Sequence, residues 1–279
     1  MDKNYIIETK NLTKQYGSQK SVADLNIHVQ KGRIYGLLGR NGAGKTTTMK
    51  MLLGLTKPTS GEVKIWGKSL QGNEKKLLPR IGSLIESPGF YPNLTATENL
   101  QIFATLRGIP NRHSIKNTLD LVGLPYKDKK LFSQYSLGMK QRLAIALAVM
   151  HDPELLILDE PTTGLDPQTR LLIWDIIEKL RVEEKLTVFL TTHYMEEAAN
   201  AGYVVILDKG SIVAEGTPFE LKNEYVQDTM SVYGVTEEEI KTLGREYKKI
   251  RDGYQLKVKN TAEATRLIVE HQEIFRDAC

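Results

Sequence analysis

The residues with the clearest chemical meaning form a glycine-rich loop that ends in a lysine and two threonines. The loop reads Gly39-Arg40-Asn41-Gly42-Ala43-Gly44-Lys45-Thr46-Thr47 and contains the pattern G-x-x-x-x-G-K-[ST]. Backbone N–H groups in such a loop bind phosphate oxygens, and the partial positive charge of the following helix N-terminus adds to the attraction. We therefore expect the loop to bind a nucleotide, with Lys45 neutralising the β- and γ-phosphates and Thr46 ligating Mg²⁺.

Two adjacent acids form the second chemical feature. Asp159 and Glu160 directly follow the apolar run 155–158. A nucleotide–magnesium site needs a carboxylate beyond the phosphate loop, usually at the end of a neighbouring buried strand. Asp159 is therefore predicted to hold Mg²⁺ through water, and Glu160 to act as the base or orienting group for the attacking water. Alone, two such acids would more often be a solvated strand end, but the phosphate loop favours the chemical interpretation.

The elements that must position these residues alternate between strand and helix patterns. The phosphate loop lies between the strand-like run 33–38 and the helical pattern 45–55, which is the context such a loop requires. The runs 155–158 and 188–190 are apolar at consecutive positions, which indicates strands covered on both faces of a parallel sheet. Helix-type spacing replaces the strand pattern between 94 and 150. The sequence therefore predicts an α/β fold with an inserted helical lobe.

Composition narrows the class of protein. The 279 residues include 41% hydrophobic and 26% charged side chains, which is typical of a folded soluble chain. The net charge of +4 is too small and too mixed to predict binding of nucleic acid. Cys279 is the single cysteine, which excludes a disulfide framework. The longest apolar run, 143–150, is far shorter than the ~20 residues that span a bilayer, so a membrane role requires a separate membrane partner.

From Tyr5 to about Leu221 the chain resembles the nucleotide-binding subunit of ATP-binding cassette (ABC) transporters. Beyond the phosphate loop and the two acids, the resemblance rests on a segment similar to the signature sequence of the family, Tyr135-Ser136-Leu137-Gly138-Met139-Lys140-Gln141-Arg142. It implies that Ser136 and Gly138 contact the γ-phosphate held by a second copy, so that two subunits close around two ATP molecules. Leu137 and Met139 depart from the glycine and glutamine that are usual there.

Three further positions match the family pattern. Tyr16 stands where an aromatic ring stacks on adenine, which would give modest base selectivity. Asp166 ends the loop 163–166, which in the family reaches across the dimer and couples the two sites. His193 matches the switch histidine of the family, whose imidazole bonds the γ-phosphate or the attacking water. Taken singly, each has an ordinary structural explanation, and the order of the motifs favours the functional one.

Glu86 is the most informative difference between this sequence and the family pattern. It aligns with a glutamine that, in the family, touches Mg²⁺ and the attacking water and senses the membrane subunit. A glutamate still accepts a hydrogen bond from metal-bound water, but it adds a full negative charge near the γ-phosphate. The substitution, together with the Ser136-x-Gly138-Met139 signature, resembles the bacterial subgroup that exports or protects against lantibiotics, bacitracin and related peptides.

The resemblance implies a P-loop NTPase core with a mixed, largely parallel sheet, an antiparallel β subdomain, an inserted helical subdomain and a small C-terminal α+β extension. The predicted boundaries are 1–220 for the ATPase domain, about 87–150 for the helical subdomain and 221–279 for the C-terminal module. In that module, Thr236 and Glu239 are predicted to form a helix capping box, and 254–258 alternates like a strand. Contact with a second copy, regulation of turnover and plain stabilisation all remain open as its role.

The implied function is ATP hydrolysis at the cytoplasmic face of the cell membrane. It is implied to drive the export of a drug or peptide antibiotic through an integral membrane permease. ATP and Mg²⁺ are the implied cofactors, and a second copy of the chain is the implied partner for ATP-dependent dimerisation. A soluble regulator of the same superfamily, acting on ribosomes, DNA or cluster assembly, is the alternative. One cassette without sustained heptads disfavours it, and the lack of an Asn-Lys-x-Asp sequence disfavours a GTPase switch.

Overall fold

The computed structural model of the chain describes residues 5–86, 88–109, 112–225, 228–258 and 261–275. Residue 87, where the helical subdomain is predicted to begin, and Cys279 lie outside these ranges. The chain divides into two compact units, Met1–Glu215 and Gly216–Cys279. Along the described ranges, no helix has both the length and the apolar character needed to cross a bilayer.

The first unit contains two sheets and the helices that cover them. Its strands are β1 (Tyr5–Tyr16), β2 (Gln19–Leu25), β3 (His28–Gln30), β4 (Ile34–Gly39), β5 (Ser60–Ile65), β6 (Lys68–Ser69), β7 (Ile81–Leu84), β8 (Leu155–Leu158), β9 (Thr187–Thr192), β10 (Tyr203–Asp208) and β11 (Ser211–Gly216). Its α-helices are α1 (Lys45–Leu52), α2 (Glu74–Leu77), α3 (Ala96–Leu106), α4 (Arg112–Leu121), α5 (Leu137–Val149), α6 (Pro167–Glu183) and α7 (Met195–Ala198). Short 3₁₀ turns lie at Leu78–Arg80 and Phe132–Gln134.

The larger sheet has the order β11-β10-β4-β9-β8-β7, and its strands from β10 to β7 pair in parallel. Every residue of β4, β8 and β9 is buried, as expected for strands covered on both faces. Since the strands are parallel, their carboxyl ends meet at one edge of the sheet, where α/β proteins bind ligands. The phosphate loop, the two acids and His193 each follow one of these three strands.

The smaller sheet is antiparallel and has the order β2-β1-β5-β6, with β3 paired to β1. A continuous buried cluster joins it to the parallel sheet through Ile7 of β1, Ile65 of β5, Met49 of α1, Leu37 of β4 and Phe189 of β9. Full burial of such a side chain contributes roughly 1.5–3 kcal/mol. This packing fixes α1, and with it the phosphate loop, against both sheets.

Between β7 and β8 the chain inserts the helices α3, α4 and α5. A capping box starts α3, because Thr95 Oγ1 accepts from Glu98 N and Glu98 Oε2 accepts from Thr95 N. The second half of α5 is buried on all sides from Leu143 to Val149, which explains why its sequence is apolar without a polar face. The sequence-based prediction of a P-loop α/β fold with mixed sheets and inserted helices is confirmed.

The second unit is a small α+β module. It contains α8 (Pro218–Tyr225), β12 (Asp228–Tyr233), α9 (Glu237–Thr242), β13 (Tyr247–Ile250), β14 (Gly253–Val258) and α10 (Thr261–Glu270). The strands form an antiparallel sheet of order β12-β14-β13. Its core contains Val232, Ile240 and Leu256. Thr236 and Glu239 form the predicted capping box at the start of α9.

Candidate functional site

The phosphate loop connects the end of β4 to the start of α1, and two of its glycines are required by close contacts. Gly44 has a φ of +104°, and a Cβ on it would lie 2.5 Å from Ser21 O. A Cβ on Gly39 would lie 2.7 Å from Leu207 O. The loop backbone therefore passes closer to its neighbours than any residue with a side chain would permit.

Lys45 turns back into the loop from the first position of α1. Its Nζ donates to Gly39 O (2.7 Å) and Arg40 O (3.2 Å) and lies 3.1 Å from Glu160 Oε1. The side chain is only 4% exposed. A buried ammonium is tolerated only with such partners, so the loop carbonyls and Glu160 together hold a positive charge at the phosphate loop. Arg40, Asn41, Gly42 and Thr46 are the exposed residues of the loop.

Thr46 joins the phosphate loop to the first of the two acids. Its Oγ1 donates to Asp159 Oδ2 (2.7 Å), whereas Thr47 Oγ1 lies 3.0 Å from Ser21 Oγ. A hydroxyl and a carboxylate are the hard oxygen ligands that Mg²⁺ prefers, and Mg²⁺ is usually bound by one or two carboxylates together with substrate phosphates. The residues therefore fit a nucleotide-bound Mg²⁺. In the described part of the chain, no group of three or more His, Cys, Asp or Glu side chains forms a metal site.

Glu160 lies between the phosphate loop and His193. Oε1 is 3.1 Å from Lys45 Nζ, and Oε2 accepts from Thr163 Oγ1 (3.0 Å). His193 Nδ1 is 3.2 Å from Oε2, but it does not have the geometry of a hydrogen bond. Burial of Glu160 opposes ionisation, but the hydrogen bonds from Lys45 and Thr163 and the charge of Lys45 outweigh it and lower the pKa of the carboxyl. Glu160 is therefore a carboxylate at neutral pH.

The backbone of Glu160 is unusual. Its φ of +46° lies in the left-handed region, which non-glycine residues seldom adopt. Such conformations persist where surrounding contacts fix them, and they concentrate at functional sites.

An aromatic and a cationic side chain support the loop that carries His193. The His193 ring stacks on Tyr194 with centroids 4.0 Å apart, and Arg170 Cζ lies 4.8 Å from the centre of the Tyr194 ring. Because Arg170 belongs to α6, the cation–π contact connects the start of that helix to the loop after β9.

The signature segment forms the start of α5. Ser136 Oγ accepts from Met139 N (3.3 Å) and so caps the helix. Gly138 packs against the start of α6, since a Cβ on it would lie 2.4 Å from Thr169 Cγ2. Asp166 caps α6 by accepting from Thr169 N (3.0 Å) and from Thr169 Oγ1 (2.6 Å). The signature and the loop ending at Asp166 therefore lie side by side.

Glu86 pairs with α1. Its Oε1 accepts from Lys50 Nζ (3.0 Å), and the Glu86 side chain is 78% exposed. The negative charge that distinguishes this position from the glutamine of the family is thus matched by a lysine on the helix that follows the phosphate loop.

The structure brings some of the predicted residues together and leaves others apart. Hydrogen bonds and ion pairs connect the phosphate loop to Asp159 and Glu160, and Glu160 lies beside His193. Among the described residues, none of these bonds links the loop to Ser136, Asp166 or Tyr16. Tyr16 is 54% exposed, with Lys14 Nζ 5.0 Å from its ring centre.

Sequence reasoning missed Thr191. Its Oγ1 accepts from Glu160 N (2.9 Å) and donates to Asp159 Oδ1 (2.5 Å), so it touches both predicted acids. A hydroxyl residue at the end of an apolar strand, two positions before His193, is a weak signal. It becomes informative only when the neighbouring strand and its register are known.

Comparison with known proteins identifies the family. The family model for "ABC transporter" matches residues 22–163 of this chain. The chain belongs to the ABC transporter family. The sequence-based recognition of an ABC transporter nucleotide-binding subunit is confirmed.

Close relatives of this ABC subunit are bacterial. The bacitracin transport ATP-binding protein BcrA of Bacillus licheniformis is 53% identical over 216 residues, which cover 77% of this chain and 70% of that protein. BcrA of Enterococcus faecalis is 51% identical over 218 residues, which cover 78% and 71%.

Solved ABC structures share the fold. The cbiO1 protein of Clostridium perfringens, part of the ABC transporter complex cbiONQ, has a TM-score of 0.72 at 26% identity, over 79% of this chain and 92% of that one. A dimeric, post-hydrolysis structure of the ATP-binding cassette MJ0796 bound to ADP and Pi has a TM-score of 0.67 at 26% identity, over 76% and 98%. The present chain is therefore an ATP-binding and ATP-hydrolysing subunit of an ABC transporter.

Proposed function

We propose that this ABC subunit powers the export of a drug or peptide antibiotic through a separate integral membrane permease, at the cytoplasmic face of the cell membrane. The observation that carries the proposal is the 53% identity to the bacitracin transport ATP-binding protein over 77% of the chain. Glu86 in place of glutamine and the Ser136-x-Gly138-Met139 signature support the same subgroup. Residues 1–220 would form the ATPase domain, with 87–150 as its helical subdomain, and 221–279 would form an accessory module.

ATP binding rests on the loop 39–47. The loop N–H groups and the start of α1 bind the phosphates, and Lys45 supplies a buried positive charge beside them. Tyr16 stacks on the adenine. Its ring is exposed, so a planar base can reach it.

Thr46 and Asp159 would hold Mg²⁺, and Glu86, two residues after the end of β7, would accept from metal-bound water as the resemblance implies. When bound, Mg²⁺ neutralises the charge that develops on the phosphates. The hydrogen bond between Thr46 and Asp159 supports this assignment, because it places both oxygen ligands at one point.

Glu160 accepts a proton from the attacking water or orients it. Its lowered pKa keeps the carboxyl ionised, and an ionised carboxyl is an acceptor only. His193 lies on the other side of that carboxylate and bonds the γ-phosphate or the water. The left-handed backbone of Glu160 directs the side chain toward Lys45 and His193 rather than along the strand.

Two copies of the chain would close around two ATP molecules. Ser136 and Gly138 lie at the start of α5, whose N-terminus and Ser136 hydroxyl would face the γ-phosphate held by the other copy, while the missing side chain of Gly138 leaves room for Thr169. Asp166, which caps the adjacent α6, couples the two sites. Closure on binding and opening after hydrolysis move the helices of the permease.

A pull-down tests the partner. Tagged Glu160→Gln protein is incubated with native membranes, ATP and Mg²⁺, and the proteins that co-purify are identified. Glu184→Gln, which changes an exposed acid at the end of α6, is the matched control. We expect the Glu160→Gln protein to retain ATP, dimerise and recover a membrane protein with several helices. Recovery of ribosomes, nucleic acid or soluble proteins would overturn the export function.

Co-expression tests the cargo. A bacitracin-sensitive host that carries this chain together with the recovered membrane protein should gain resistance to a peptide antibiotic. Resistance should disappear with Glu160→Gln and persist with Glu184→Gln. If the host is equally sensitive with the unchanged chain and with both variants, the protein does not export a peptide antibiotic.

A further inference from the structure

Thr191 is a fully buried polar residue at the carboxyl end of β9. The strand lies between β4, which leads into the phosphate loop, and β8, which leads into the two acids. Leu190 pairs with Leu158, the last residue of β8. Thr191 therefore stands level with the point at which the chain leaves β8.

The hydroxyl of Thr191 makes two different hydrogen bonds. Its oxygen accepts from Glu160 N at 2.9 Å, which leaves the hydroxyl proton for Asp159 Oδ1 at 2.5 Å. An ionised carboxylate only accepts and a backbone N–H only donates, so both roles are fixed. The position requires a short side chain that donates and accepts at the same time.

These bonds control both acids. Asp159 Oδ2 accepts from Thr46 Oγ1 while Oδ1 accepts from Thr191, so a threonine on each side fixes the rotation of the carboxylate. Glu160 N is held by the same hydroxyl at a residue with φ of +46°. Without that acceptor, the N–H would be left beside a buried strand with no polar partner.

We propose that Thr191 is a positioning residue of the ATPase site. It sets the orientation of the Asp159 carboxylate for Mg²⁺ and holds the Glu160 backbone in the conformation that directs its carboxylate toward the nucleotide. This inference rests on the proposed roles of Asp159 and Glu160. It assigns a function to a fully buried residue of the strand before His193, which acts through the two acids.

Three variants test the inference. Thr191→Val preserves the shape and removes both hydrogen bonds, whereas Thr191→Ser keeps the hydroxyl and loses one methyl. Thr187→Val is the matched control, because it makes the same change at the opposite end of the same buried strand, where Thr187 Oγ1 accepts from Gly32 N. We expect Thr191→Val to lower kcat by about 10- to 100-fold, the usual effect of losing a group that orients a metal ligand, with a smaller change in KM.

A second readout does not depend on turnover. In a Glu160→Gln background, the affinity for a fluorescent ATP analogue is measured in EDTA and then with increasing Mg²⁺. Thr191→Val should leave the nucleotide affinity in EDTA unchanged. It should raise by about tenfold the Mg²⁺ concentration that gives half of the magnesium-dependent change in nucleotide affinity. Thr191→Ser should restore both kcat and the magnesium response.

The outcomes separate this inference from the proposed function. Equal kcat and magnesium response in Thr191→Val and Thr187→Val would overturn the positioning role, and so would a loss that Thr191→Ser does not recover. A parallel loss of affinity in EDTA would likewise overturn it, since it would indicate general disturbance of the fold. By contrast, undiminished hydrolysis by Glu160→Gln alone would overturn the proposed role of Glu160, whatever the Thr191 variants do.

Discussion

Lys45 Nζ and Glu160 Oε1 lie 3.1 Å apart, so the lysine of the phosphate loop and the acid proposed to direct the attacking water form an ion pair. Lys45 lies at the end of the loop that follows β4, and Glu160 follows β8. The two side chains meet because a single strand, β9, lies between β4 and β8 in the sheet. Each charge lowers the energetic penalty of burying the other.

Removal of the lysine charge tests the first consequence. Lys45→Met should reduce the affinity for ATP by at least about tenfold, since one charge-assisted contact to a phosphate contributes on the order of 1.5–3 kcal/mol. Equilibrium binding of a fluorescent ATP analogue measures the effect. Lys68→Met, on the edge strand β6, is the control for net charge. If Lys45→Met binds ATP with unchanged affinity, Lys45 does not contribute to nucleotide binding.

The lowered pKa of Glu160 predicts a pH dependence of stability. A carboxyl whose pKa in the folded protein is below its ordinary value of 4.5 binds fewer protons folded than unfolded, so its stabilisation is present above pH 4.5 and is lost as the pH falls through the lowered pKa. The unfolding midpoints of wild type and Glu160→Gln should therefore converge as the pH falls below 4.5. Thermal unfolding between pH 7 and pH 3.5 measures this. A constant difference would contradict it.

Lys50 and Glu86 provide a third prediction. If Glu86 lies near the phosphates as proposed, Lys50→Met leaves its carboxylate without a partner, and KM for ATP should rise up to several-fold, since exposed charge interactions contribute about 0.2–1 kcal/mol. Glu86→Gln in the same chain should reverse the rise, because it removes the repelling charge. Steady-state ATPase kinetics of the two single variants and the double variant measure the coupling. Additive effects would mean that the two residues act independently.

Gly138 and Thr169 provide a fourth prediction, on stability. A Cβ on Gly138 would lie 2.4 Å from Thr169 Cγ2, and Thr169 cannot rotate freely because its hydroxyl bonds Asp166. Gly138→Ala should therefore destabilise the chain by about 1–3 kcal/mol. Thr169→Ser removes the methyl and keeps the hydroxyl, so the double variant should recover most of the loss in chemical denaturation. If the double variant does not regain stability, the loss in Gly138→Ala does not arise from the Thr169 methyl.

Much of the fold and part of the site follow from the sequence. The apolar runs at 155–158 and 188–190 identify buried parallel strands, and motifs that follow such strands must meet at one edge of the sheet. That is why the proximity of Asp159 and Glu160 to the phosphate loop could be predicted.

Other relationships between residues depend on the order and register of the strands and on which side chains the fold brings together. The link from Thr191 to both acids requires β9 to lie beside β8 in the observed register, which the sequence alone does not determine. Likewise, Lys50 and Glu86 are 36 residues apart, and only the tertiary fold makes them neighbours. For Ser136, the resemblance implies a phosphate contact, whereas within one subunit its hydroxyl caps α5.

The contact between Gly138 and Thr169 also links the signature segment to the loop that carries His193. The start of α5 cannot approach α6 without displacing Thr169, and the next residue, Arg170, holds Tyr194 against His193. The signature segment and the histidine are therefore connected by three successive contacts within one subunit. We expect a displacement of the start of α5 to reach His193 by a route that bypasses the phosphate loop.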